Sequence, residues 1–126
     1  MTFRAMIADD SRVIRRMLTR ALHHSYVANF ELNEASSRHQ VLEQTRAEDY
    51  DVVFLDWYLP ASRGEDLVEA IRSQRPEANP RIVLIAGVGQ ESEIEEAARR
   101  SGADSWICRP FEADHLRARL SQLLSR

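Results

Sequence analysis

Five short apolar runs alternate with five stretches of helical periodicity along this chain, and that alternation decides most of what it can fold into. The clearest run is Asp51-Val-Val-Phe-Leu-Asp56, near-continuously apolar in the manner of a strand buried on both faces of a parallel sheet. Phe3 to Ala8, Phe30 to Ala35, Arg81 to Ala86 and Asp104 to Cys108 read as the other four strands. After the first of them, Val13, Ile14, Met17, Leu18, Ala21 and Leu22 recur at helical spacing, with Arg12, Arg15, Arg16 and Arg20 largely on the other side. Ser11 or Asp10 is placed to cap that helix. Further helices are predicted from about Ser37 to Arg46, around Leu67, Val68 and Ile71, from Glu91 to Ser101 with Gly102 closing it, and from about Glu112 to Leu124.

No repeat, low-complexity tract or internal linker interrupts the pattern, so a single domain over residues 1–126 is expected. Its architecture should be α/β, a doubly wound five-stranded parallel sheet with helices on both faces. In such sheets ligands bind beyond the carboxyl ends of the strands, where strand order reverses. The site should then be built from Asp9-Asp10, Asp56, Ala86-Gly87 and Arg109, which follow or end the first, third, fourth and fifth strands.

Composition excludes several classes of function. The balance of 44% hydrophobic and 29% charged residues is that of a folded domain, which argues against disorder. A net charge of −3 gives no case for nucleic acid or membrane binding. The longest apolar run, Ile82 to Val88, is too short to span a bilayer, and the N-terminus lacks the features of a signal peptide. A cytoplasmic location is the expectation, with which the lone Cys108 agrees. All 17 basic residues are arginine.

Three carboxylates at one sheet edge repel each other unless a cation joins them. Hard oxygen ligands of this kind suit Mg²⁺. A carboxylate beside such a metal can attack a phosphoryl group and become an acyl phosphate. Singly, Asp9-Asp10 would read as a helix cap and Asp56 as a solvated strand end; the inference comes from parallel topology bringing them to the same edge.

With these residues in view, the chain resembles the receiver domains of bacterial two-component response regulators over essentially its whole length. The resemblance rests on Asp9-Asp10, on Leu55-Asp56-Trp57-Tyr58-Leu59-Pro60 with Gly64 four residues later, on Ser101-Gly102-Ala103-Asp104, and on Arg109-Pro110-Phe111. It implies a flavodoxin-like sheet in strand order 2-1-3-4-5 with five helices. It also implies Asp56 as phosphoacceptor and Mg²⁺ held by Asp9, Asp10, Asp56 and the backbone carbonyl of Tyr58. Trp106 falls where the family carries an aromatic switch residue on a partner-binding face. The partners implied are a sensor histidine kinase or histidine phosphotransfer protein on one side and a downstream protein or effector domain on the other. No membrane and no direct nucleic-acid contact are expected, and the chemistry is self-directed phosphotransfer and autodephosphorylation rather than enzymatic turnover.

Two positions depart from the family pattern. Ala86 stands where a Ser or Thr hydroxyl usually bonds the phosphoryl group, and Arg109 replaces a lysine. A guanidinium is planar and bulkier than an ammonium, so its reach and angle differ. Compositional drift and relaxed selection on phosphorylation explain Arg109 equally well. Trp106 is larger than the usual Tyr or Phe, and one expectation is that its indole leans into space freed by Ala86. These departures keep two other readings open, a phosphorylation-independent interaction module and a phosphate sink.

Other constellations carry less. Gly87-Val-Gly89 follows a strand, but Ser92 takes the third glycine position of a dinucleotide-binding turn. His23, His24, His39 and His115 do not pair at metal spacing and are expected on helix surfaces. Ser11, Ser62 and Cys108 have no base at an interpretable spacing, and Cys108 reads as a small core residue. The arginines of the first helix read as a solvated face that could also steer an acidic partner.

Overall fold

The computed structural model describes residues 2–59 and 62–125. Pro60, part of the motif after the third strand, lies outside the described residues. The elements run β1 (Thr2–Ala8), α1 (Arg12–Ser25), β2 (Asn29–Ala35), α2 (Arg38–Ala47), β3 (Val52–Asp56), α3 (Gly64–Gln74), β4 (Arg81–Ala86), α4 (Glu91–Ser101), β5 (Ser105–Cys108) and α5 (Ala113–Leu124). The five strands form one parallel sheet in the order β2-β1-β3-β4-β5, as expected. The sequence pattern did not anticipate a second, two-stranded ladder, in which Tyr58–Leu59 pairs antiparallel with Ser62–Arg63 just beyond β3.

The apolar character of the central strands follows from burial on both sides. Val53 and Leu55 of β3 point into one core layer with Leu67, Val68, Ile94 and Ala97 from α3 and α4. Val52 and Phe54 point into the other, with Leu18 and Leu22 of α1 and Leu116 and Leu120 of α5. All five residues of β3 are buried, whereas β2, at the sheet edge, is only partly covered. A one-residue slip would exchange the two faces of a strand, and here both faces have a layer to fill.

Helix ends follow the sequence signals closely. Ser11 caps α1 by accepting the Ile14 N–H, and Ser37 caps α2 by accepting the Gln40 N–H. Gly102 ends α4 in the left-handed conformation, at φ 82°. β5 begins at Ser105, one residue later than expected, and Asp104 anchors its entry through its carboxylate. Its Oδ2 accepts from the Ile82 N–H at 2.8 Å and from the Arg72 guanidinium at 3.0 Å.

The first helix departs from its simple apolar reading. Its buried stripe is Leu18, Leu22 and Ser25, while Val13 is 66% and Met17 46% exposed. They are one position round the helix from that stripe, along a groove shared with Pro110, Phe111 and Ala113. Arg15 is turned inward instead, donating to the Asp9 carbonyl at 2.7 Å and to Glu34 at 2.7 Å. No described helix is long and apolar enough to cross a membrane.

Candidate functional site

Parallel register gathers the acidic residues. β1 pairs with β3 up to Ala8 against Leu55, so Asp9 and Asp56 emerge next to each other at the same edge. Asp9 is fixed from both sides, its N–H donating to Ala35 O at 3.0 Å and its Oδ1 accepting from the Ser11 N–H at 2.8 Å. Asp9 and Asp56 are buried and Asp10 is exposed, and oxygens of all three lie within 4.8 Å of one another.

That concentration of charge shifts the proton affinities. Burial, then the Asp9 charge, pushes the Asp56 carboxyl from 3.8 up to about 6, against the opposing pull of the Tyr58 backbone N–H and of Arg109. Burial also raises Asp9, despite the hydrogen bond from Ser11. Asp9 Oδ2 is buried without a hydrogen-bond partner. A buried carboxylate oxygen left unpaired is costly. All-oxygen donors, two of them buried carboxylates and one with an orphaned oxygen, make a set that a hard divalent cation would complete.

The remaining expected residues fall around this cluster. Arg109 follows β5, its N–H donating to Ala86 O at 2.9 Å, and its positive charge is felt by both Asp9 and Asp56. Ala86 is buried at the tip of β4 and offers no hydroxyl. Tyr58 donates its backbone N–H toward Asp56, while its side chain is exposed and its ring lies 4.9 Å from that of Trp57. Trp106 lies in β5. It pairs with Leu84 in the sheet, packs half-buried against the core layer that contains Ala86, and carries the Arg119 guanidinium 4.0 Å above its ring.

Gly87 was expected at the site, whereas its neighbour Gln90 escaped the sequence reading. Gly87 N–H donates to Gln90 Oε1 at 2.7 Å, and a Cβ at residue 87 would stand 3.1 Å from the Arg109 guanidinium and 3.2 Å from Gln90 Oε1. Gly87 therefore lets two polar side chains close over the β4 tip; its place at the site was visible in the sequence, but no local pattern marks Gln90. The four histidines are all exposed on helices, as expected. Cys108 is only partly buried, because β5 is an edge strand, although it does pack against the core.

A family model described as the response regulator receiver domain matches residues 5–121. The chain is 28% identical to chemotaxis protein CheY-3 of Vibrio cholerae serotype O1, over 96% of this chain and 91% of that protein. It is 30% identical to the phosphate regulon transcriptional regulatory protein PhoB of Pseudomonas aeruginosa, over 96% of this chain and 51% of that protein. It thus spans most of the chemotaxis relative and about half of the transcriptional regulator. Among solved structures, the receiver domain of NtrX from Brucella abortus superposes with a TM-score of 0.79 at 28% identity, over 96% of this chain and 98% of that one. CheY4 of Vibrio cholerae superposes at 0.81 with 23% identity, over 98% and 99%, a likeness of fold. Sheet order, an acidic cluster at the strand tips and a profile match along nearly the whole chain therefore agree, and the protein belongs to the response regulator receiver domain family.

Proposed function

We propose that the described residues form one phosphoryl-accepting receiver, with Asp56 as the acceptor and with Asp9, Asp10, Asp56 and the Tyr58 carbonyl as the ligands of Mg²⁺. The observation that carries this reading is the buried, unpartnered Asp9 Oδ2 beside a carboxylate whose pKa stands at about 6. Bound Mg²⁺ would supply positive charge against the oxygens of the transferring group.

The chain's own residues then have distinct tasks. Asp56, ionised at neutral pH, attacks the phosphorus of a phosphohistidine. Its oxygen forms the new O–P bond as the N–P bond breaks, and the electron pair stays on the imidazole nitrogen, which gains a proton. Arg109 meets the phosphoryl oxygens as a planar cation. The Tyr58 N–H steadies the carboxylate. Hydrolysis reverses the gain when water attacks phosphorus and the Asp56 carboxylate leaves, so the chemistry stays on the chain's own side chain.

The donor is proposed to dock on α1, which supports a sensor kinase or histidine phosphotransfer protein as the partner in a cytoplasmic pathway. Exposed Val13 and Met17 sit among Arg16, Arg20 and His24 along a groove of about 570 Å³ completed by Pro110 and Phe111. Val13 lies three residues after Asp10 and Pro110 directly follows Arg109, so the groove borders the acidic site. An apolar strip with a basic rim fits a helical partner with acidic flanks. The output side is assigned to α4, β5 and α5, around Trp106, facing a downstream protein or effector domain.

Ala86 favours a second reading, a binding module that works without phosphorylation, because no hydroxyl at the β4 tip couples a phosphoryl group to β4. Incubation with acetyl phosphate and Mg²⁺, followed by intact mass, separates the two. A phosphoryl mass gain on the wild type and none on Asp56→Ala supports acceptance. No gain on either leaves the binding module, and a gain followed by loss with no change in partner binding marks a phosphate sink.

A further inference from the structure

Trp57 separates the two groups on which phosphoryl acceptance depends, the Asp56 carboxylate and the Tyr58 main chain, while its own side chain is held from the opposite direction. The indole Nε1–H donates to Glu65 Oε1 at 3.3 Å. The other oxygen of Glu65 accepts from the Arg100 guanidinium at 3.0 Å, and Arg100 also reaches Glu96 at 3.6 Å. One carboxylate in the first turn of α3 thus joins the acceptor segment to the last turn of α4.

The main chain is fastened at the same place. Gly64 N–H donates to Trp57 O at 2.8 Å and Trp57 N–H to Ile85 O at 2.9 Å. A Cβ at residue 64 would stand 3.1 Å from the Trp57 Cα, so α3 begins close against the backbone of residue 57, where any side chain at residue 64 would need a small shift of its neighbours. The Trp57 side chain is buried, and Glu65 keeps 19% of its own exposed. Burial acts to raise the Glu65 carboxyl, but the hydrogen bonds from Arg100 and Trp57 outweigh it and hold the group below its ordinary range. The bridge is therefore a charge-assisted one.

We propose that Glu65 is a positioning residue for the acceptor segment, holding the Trp57 indole so that Asp56 and Tyr58 keep their places, and that Arg100 carries the same constraint to α4. Its consequence for phosphotransfer rests on the reading of Asp56 as acceptor. Successive residues of an extended segment point to opposite sides, so a turn at residue 57 moves 56 and 58 together. A displacement of about 1 Å at a reacting group can cost as much as about 100-fold in rate. With alanine at residue 86, a hydroxyl-based link from the phosphoryl site is missing at β4, and the Glu65 bridge offers α4 a polar connection to the acceptor segment that does not pass through residue 86.

The test uses the whole chain labelled with ¹⁵N, in which the two tryptophans give two indole N–H signals, assigned with Trp106→Phe. Glu65→Ala is expected to move the Trp57 indole signal, speed its hydrogen exchange and shift the backbone amides of residues 56–58. Glu65→Gln, which keeps an acceptor for the indole, should restore most of these. Arg100→Met, at a half-exposed side chain, should give the same shifts in smaller degree without unfolding risk. Phosphorylation by acetyl phosphate is expected to slow about tenfold in Glu65→Ala and to recover to within about twofold in Glu65→Gln. If the indole and the 56–58 amides stay at their wild-type positions in both Glu65→Ala and Arg100→Met, the positioning role is wrong. If the wild type takes up no phosphoryl mass, the acceptor reading fails, and the indole and amide signals still decide the role of Glu65.

Discussion

Asp9 and Asp56 bring carboxylate oxygens within 4.8 Å of each other, and after burial it is the charge of Asp9 that does most to hold the Asp56 carboxyl at about 6. A carboxyl raised from 3.8 to about 6 binds its proton more tightly in the folded chain than in the unfolded one. The stability this lends is complete below pH 3.8 and is lost as pH rises through about 6. Without metal, the domain should melt lower at pH 7.5 than at pH 5 on account of this group. The full shift corresponds to about 3 kcal/mol, and Asp56→Asn should therefore stabilise the metal-free fold at pH 7.5 by about 1–3 kcal/mol. Denaturant melts at the two pH values check this; an Asn variant less stable than wild type at pH 7.5 would contradict it.

Mg²⁺ should reverse that loss. A cation that binds only the folded chain adds stability by mass action, about 2.7 kcal/mol at 100 times its dissociation constant. Thermal melts with and without Mg²⁺ should show a clear upward shift at pH 7.5 and a smaller one at pH 5, where Asp56 is largely protonated. Asp9→Asn should shrink the shift at both values. An equal shift in wild type and Asp9→Asn would remove Asp9 from the ligand set.

Ala86→Ser places a hydroxyl at the tip of β4 with little added volume. A hydrogen bond to a charged group contributes about 1.5–3 kcal/mol, so binding of beryllofluoride with Mg²⁺ should tighten about tenfold or more. Titration followed by tryptophan fluorescence measures it. Unchanged affinity would mean that residue 86 does not face the phosphoryl group.

Arg109 is the cation that lowers both buried aspartates, so its removal should be felt twice. Arg109→Ala is expected to raise the Asp56 pKa above about 6 and to slow acceptance from acetyl phosphate by about 10- to 100-fold. Arg109→Lys should keep most of the rate, because charge matters more there than the guanidinium fork. A lysine variant as slow as the alanine one would instead assign the work to the planar group.

Arg72 supplies the sharpest stability test away from the pocket. Its guanidinium donates to Asn79 Oδ1, Pro80 O, Gly102 O and Asp104 Oδ2, at 2.8 to 3.1 Å, tying α3 to the entries of β4 and β5. Arg72→Ala should cost about 2–3 kcal/mol, since Asp104 then keeps only the Ile82 N–H. Phosphoryl uptake below the melting temperature should be preserved, which separates this scaffold from the acidic site.

The strand and helix alternation, the two-sided burial of Val52 to Asp56 and the caps at Ser11 and Gly102 were all legible in the chain, because each depends on local periodicity or on one residue's own backbone preference. So was the convergence of Asp9, Asp10 and Asp56, since parallel topology leaves their strand tips little choice of edge. Folding alone decided what passes between elements distant in sequence. Val13 and Met17 have the spacing of core residues, yet they face outward, because their exposure depends on how α5 lies against α1. Arg15 reads as a surface charge and instead reaches under the Asp9 carbonyl. The closure of Arg109 and Gln90 over Gly87, and the bridge from Trp57 through Glu65 to Arg100, join side chains whose separation in sequence carries no signal of contact. Periodicity reports which way a side chain points from its own element; which partner it meets is set by packing of the assembled layers.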